Sequence, residues 1–194
     1  MERERKNRGE AIYIITAVIA VLLIAGLATL VIVRQNRKYS TGELDGTTYT
    51  NKWAGVKVEV GSEYKINSVS GKQYQGYDIG VAITNQKATS GLFVMSQERE
   101  INNDDIEALL KAMIGDGSTM LNLPISKTTT VQTSLKTERK TIAGESYTCI
   151  VMTVPGGKLV LAARAVHDNG IFFIEVVTTG NEDPEDYLRL ISKL

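Results

Sequence analysis

From Ala11 to Val33 the chain runs 23 residues without a charge, mostly Ile, Val, Leu and Ala. A helix of that length rises about 34 Å, enough to cross a hydrocarbon core about 30 Å thick. Arg3, Arg5, Lys6 and Arg8 precede the run, and Arg34, Arg37 and Lys38 follow it. Tyr13 and Tyr39 stand near its two ends, where aromatic side chains anchor membrane segments at the interface. A cleaved signal peptide has a shorter apolar stretch and a small-x-small cleavage site, whereas this run is longer and continues into Arg34. The expectation is a single-pass protein with a tail over 1–10, a transmembrane helix over 11–33, a linker over 34–47 and a domain over 48–194. The greater positive charge before the run places the tail in the cytoplasm and the domain outside. Thr16 with Ala20 and Ala25 with Thr29 are spaced for close helix packing, although small residues are common in such segments.

Charge divides along the same boundary. Residues 1–39 hold seven Lys/Arg and three Glu, while the rest carries an excess of four acids and the whole chain sums to zero. The basic end suits anionic lipid, so the lipid bilayer is one expected partner. The acidic remainder is a poor match for nucleic acid. One cysteine, Cys149, excludes an intrachain disulfide. About 145 residues suffice for one core without disulfides or metals.

Val56, Val58 and Val60 alternate with Lys57 and Glu59, and Thr48–Thr50 precede them across turn residues, which predicts a hairpin. Residues 61–76 read as a Gly/Ser/Tyr-rich loop. Tyr77–Thr84 and Leu92–Glu98 read as strands. Ile106, Leu109, Leu110, Met113 and Ile114 form one helical stripe, with Asp104 and Glu107 placed as a capping pair and Pro124 beyond its exit. Leu135–Ile142, Tyr147–Val154, Lys158–Val166 and Ile171–Thr178 read as a meander whose last turn is Asp168-Asn169-Gly170. Asp183 and Pro184 open a terminal helix with Tyr187, Ile191 and Leu194 on one face. The fold class expected is α+β, one antiparallel sheet flanked by helices.

This order resembles the PsbP-like superfamily over about residues 48–194. The resemblance rests on the Thr48-Tyr49-Thr50-Asn51 to Val60 hairpin, the capped mid-chain helix, Ala143-Gly144-Glu145-Ser146-Tyr147 before a strand, the Asn169-Gly170 hairpin and the closing helix through Leu188 and Ile191. Where members often carry Pro-x-Gly-Trp, this chain reads Gly61-Ser62-Glu63-Tyr64. The resemblance implies an α/β/α sandwich and a mostly non-catalytic domain that binds other proteins, with no shared catalytic residues to carry over.

No pattern of residues specifies catalysis, a cofactor or a metal. His167 stands beside Asp168 at a hairpin rim, and Cys149 sits inside an apolar strand, where a free cysteine usually packs as a small hydrophobe. The acidic groups Asp104-Asp105-Glu107 and Glu182-Asp183-Glu185-Asp186 stand at helix starts, where capping and the helix dipole favour them. Trp53, Tyr64, Tyr74 and Tyr77 are the candidate binding residues, because exposed aromatics on a flexible loop make economical contact surface. The alternative for them is to cover the edge of the core. The function expected is a membrane-anchored, non-catalytic interaction or assembly module with an unidentified protein partner. The competing readings are a hydrolase with an unrecognised site, or an accessory subunit of a membrane complex held through its helix.

Overall fold

The computed structural model describes residues 38–68, 72–74, 76–115, 134–154, 156–167 and 169–194. The expected transmembrane helix over 11–33 and the tail over 1–10 lie outside the described residues, as does Pro124. Among the described residues no helix is long and apolar enough to cross a membrane.

Residues 39–194 form one compact unit built on two antiparallel sheets. The large sheet contains β4 (Tyr64–Ser68), β5 (Gln73–Tyr74), β6 (Tyr77–Asn85), β7 (Gly91–Glu98), β8 (Ser134–Ile142), β9 (Glu145–Val154), β10 (Gly157–Val166) and β11 (Gly170–Thr179). Its spatial order is β4-β6-β7-β11-β10-β9-β8, with β5 also on β6. The small sheet runs β1 (Glu43–Asp45), β2 (Thr48–Asn51), β3 (Val56–Glu59) and β12 (Ile191–Lys193). Among the described residues two helices complete the unit: α1 (Ile106–Gly115), led by a 3-10 turn at Asn103–Asp105, and α2 (Pro184–Leu188).

The central strands of the large sheet, β7, β10 and β11, are buried on both faces. On one side α1 lays Ile106, Leu110 and Met113 over a core that includes Ile150, Leu161, Ile171 and Phe173. On the other side Tyr49, Val56, Val58, Ile191 and, from α2, Tyr187 and Leu188 cover Val81, Val94, Val160 and Phe172. One cover is therefore a helix and the other a second sheet with a short helix. This corrects the expected single sheet flanked by helices, and the α/β/α sandwich with it. The physical reason lies at the C-terminus. Ile191 was expected on a helix face with Leu194, but it leaves α2 and pairs with Val58 as part of β12, while Leu194 stays 52% exposed.

Two other segments differ from expectation. Residues 61–76 were read as loop, yet β4 and β5 pair there with β6. In β4, Tyr64 and Ile66 pack on the core while Lys65 and Asn67 are exposed. Residues 43–45, within the expected linker, form β1 against β2. The Asp104 cap is not made: Asn102 leads the 3-10 turn and no side chain caps it. At α2, Asp183 Oδ1 does accept from the Glu185 amide at 3.1 Å.

Register along β6 shifts between Ile79 and Val81, and Gly80 lies at that irregularity. A Cβ there would stand 2.4 Å from Tyr49 Oη and 2.6 Å from the Thr41 carbonyl oxygen. Gly80→Ala should therefore cost about 1–3 kcal/mol through overpacking, read as a lower midpoint in urea with unchanged slope. An unchanged midpoint would contradict this packing.

Candidate functional site

The expected binding residues are not brought to one surface. Trp53 is 2% exposed and belongs to the core beneath the small sheet. Tyr64 packs on that same core and stacks edge-on against Tyr187, with ring centroids 5.5 Å apart. Tyr77 is 6% exposed on the α1 side, with its ring 4.5 Å from Phe173, and Tyr74 packs beside it. Tyr64 and Tyr74 pair with opposite ends of β6, at Asn85 and Tyr77. The four aromatics thus divide between two cores.

The structure instead concentrates polar contacts where the chain joins the compact unit. Tyr39 Oη donates to Asp78 Oδ2 at 2.5 Å and lies 3.2 Å from Ser96 Oγ. The Tyr39 ring meets Trp53 edge-on at 5.1 Å. Asn51 Nδ2 donates to the Ser40 carbonyl at 3.0 Å, and Tyr49 Oη donates to the Thr41 carbonyl at 2.7 Å. Three successive residues, 39 to 41, are thereby clasped to β2, β6 and β7. Trp53 Nε1 extends the group by donating to Asn169 Oδ1 at 3.2 Å. Sequence reading placed Tyr39 at the membrane interface and passed over Asp78 and Ser96. Neither residue type signals a role alone, and their proximity comes from the cross-strand register Asp78↔Ser96.

Electrostatics follow burial. The phenols of Tyr39, Tyr49 and Tyr187 are held protonated beyond their ordinary range, chiefly by desolvation, with carboxylate partners adding to the effect at Tyr39 and Tyr187. The Cys149 thiol, 0% exposed in β9, is pushed up to about 11 by burial. A thiol so held is not a nucleophile near neutral pH. His167 is exposed on the β10–β11 turn with a φ of 49°. An open groove of about 510 Å³ lies between α1 and the segment after β7, lined by Arg99, Ile101, Asn102, Asp105 and Leu109 among others. Neither Cys149 nor His167 lines it. Among the described residues no three His, Cys, Asp or Glu side chains are grouped to hold a metal ion. Glu175, 2% exposed in β11, is a buried acid that the sequence pattern did not single out.

No family model matches the chain, and no curated protein matches it. Among solved structures it is similar to the solution structure of cyanobacterial PsbP (CyanoP) from Synechocystis sp. PCC 6803. That likeness has 12% identity and a TM-score of 0.49, over 79% of this chain and 98% of the other. A crystal structure of a protein from Bacteroides thetaiotaomicron VPI-5482 is similar at 13% identity and a TM-score of 0.36. It covers 78% of this chain and 49% of that one.

Tyr39→Phe removes the donor on Asp78 Oδ2, leaving Gln73 Nε2 on Oδ1, and should lower stability by roughly 1–2 kcal/mol. Tyr39→Ala should cost more, because the contact with Trp53 goes too. Chemical denaturation of both variants checks the order. The pH dependence has a definite sign. An unfolded tyrosine ionises near pH 10, whereas the buried phenols keep their protons above that. Their contribution is whole below about pH 9, and stability then falls as pH rises, since the unfolded chain releases protons first. Phenolate absorbance should rise in two stages, the second together with loss of fold. A single stage near pH 10 with the fold intact would contradict the assigned burial.

Proposed function

We propose that the chain is a membrane-tethered, non-catalytic assembly module whose folded unit acts outside the cytoplasmic membrane on a protein partner. The observation that carries this reading is the clasp at 39–41. Five residues, Arg34 to Lys38, separate the uncharged run from the first anchored side chain. A tether that short restricts the folded unit to partners close to the bilayer, which suits an accessory component of a membrane assembly better than an enzyme acting on free solutes. The protonated, buried Cys149 and the groove that excludes it support the non-catalytic side of the reading. The basic flanks of the run support contact with anionic lipid.

Topology tests the reading. Lys87 is exposed on the β6–β7 turn and Cys149 is fully buried. A Lys87→Cys variant should react with a membrane-impermeant maleimide in intact cells, and the protein should stay with the membrane through alkaline carbonate washing. Neutralising Arg3, Arg5 and Lys6 should lower the labelled fraction. Labelling only after lysis, or release by carbonate, would overturn the reading.

A further inference from the structure

β8 ends the large sheet at the edge opposite β4, and no other described strand pairs with its outer edge. It is long for an edge strand, nine residues, of which six are exposed and only Ile142 is buried. Proteins usually block such edges with charge. Here the charges alternate in sign: Lys136, Glu138 and Lys140 lie on one face, in a row linked at 2.5 Å and 3.4 Å through Glu138. On the other face stand Leu135, Thr137, Arg139 and Thr141. Leu135 is 47% exposed, one of two large apolar side chains so exposed among the described residues.

The hairpin turn sets which backbone groups are free. β8 and β9 close at Ile142↔Glu145 around a two-residue turn, Ala143-Gly144, with both φ values positive. That pair is hydrogen-bonded, so alternate residues back along the strand, Lys140, Glu138, Lys136 and Ser134, also turn their amides and carbonyls toward β9. Leu135, Thr137, Arg139 and Thr141 present theirs outward. These free groups can continue the ladder with another antiparallel strand.

We propose that the outer edge of β8 pairs with β8 of a second copy of this chain, antiparallel and centred on Thr137. In that register Thr137 faces Thr137, and Lys136 of each copy faces Glu138 of the other. Leu135 meets Arg139, whose aliphatic stem covers it. Centring on Leu135 or Thr141 sets no ion pair face to face, and the registers that bring the charges opposite one another otherwise fail on repulsion. Centring on Glu138 sets it against itself and Lys136 against Lys140. Centring on Lys136 or on Arg139 sets two cations face to face, and like charges directly opposite destabilise a strand pair. Among these alignments only the one centred on Thr137, with a two-fold axis through that residue, sets opposite charges face to face without a like pair. The inference goes beyond the proposed tether and does not depend on it.

The test is a charge exchange in the full chain, read as dimer fraction by sedimentation in detergent at low salt. The unaltered chain should form dimers that dissociate as salt rises. Lys136→Glu and Glu138→Lys, each alone, should lower association by roughly tenfold or more, since both cross-strand pairs become repulsive. Mixed together, the two single variants should form a heterodimer, because each restores the opposite sign that the other needs. The intramolecular contact between these side chains is broken in both variants and cannot produce that rescue. A chain that stays monomeric at all concentrations tested would overturn the proposal. So would dimers indifferent to either variant, or single variants that fail to rescue one another while circular dichroism shows both folded.

Discussion

Burial of β10 and β11 on both faces is the constraint on which the other layers depend. β11 is buried from Gly170 through Thr178, and β10 is buried along most of its length. Strands in that position have no polar face to offer to water. Each side of the sheet therefore needs its own cover, and a five-residue helix such as α2 is too small to supply one. The short strands β2, β3 and β12 make up the difference, with Val56, Val58 and Ile191 closing over the core. The other side is closed by the apolar stripe of α1.

The small sheet in turn fixes residues 39–41 at the start of the folded unit. Tyr49 in β2 is buried against the large sheet, and its hydroxyl holds the Thr41 carbonyl. Room for that ring comes from two glycines. A Cβ at Gly42 would stand 2.6 Å from the Tyr49 ring, and Gly80 lies under its hydroxyl. Gly42 also has a φ of 85°, which a side chain rarely adopts. Ser40 and Tyr39 are held in the same neighbourhood, by Asn51 and by Asp78. Residues 39–41 are for this reason part of the core's cover.

Much of the large sheet was legible because its strands carry strong local signals. β-branched runs bounded by Gly-containing turns located β6, β7, β9, β10 and β11 to within a residue or two, and the 3.6-residue stripe located α1. What was not legible depends on distant partners. Tyr187, Ile191 and Leu194 fit a helical face, but Ile191 is claimed by the open edge of β3, which no local pattern announces. Among the described side chains of β4 two, Tyr64 and Ile66, face inward, too few to distinguish an edge strand from a loop. The aromatics Trp53, Tyr64, Tyr74 and Tyr77 were legible as contact-making residues. Which core the tyrosines enter is set by strand phase and by the shift at Gly80, while Trp53 enters from the β2–β3 turn. The clasp was hidden for the same reason, since Asp78 and Ser96 acquire meaning only when paired across β6 and β7.

Residue-resolved hydrogen exchange of the native protein tests the central claim, that both faces of the large sheet are closed by one cooperative structure. Amides of β10 and β11 should exchange only through global unfolding, and the paired amides of β2 and β3 should show the same free energy of opening. Exchange of β2 and β3 several kcal/mol more easily than β10 and β11 would contradict the account, because the small sheet would then be an independent flap.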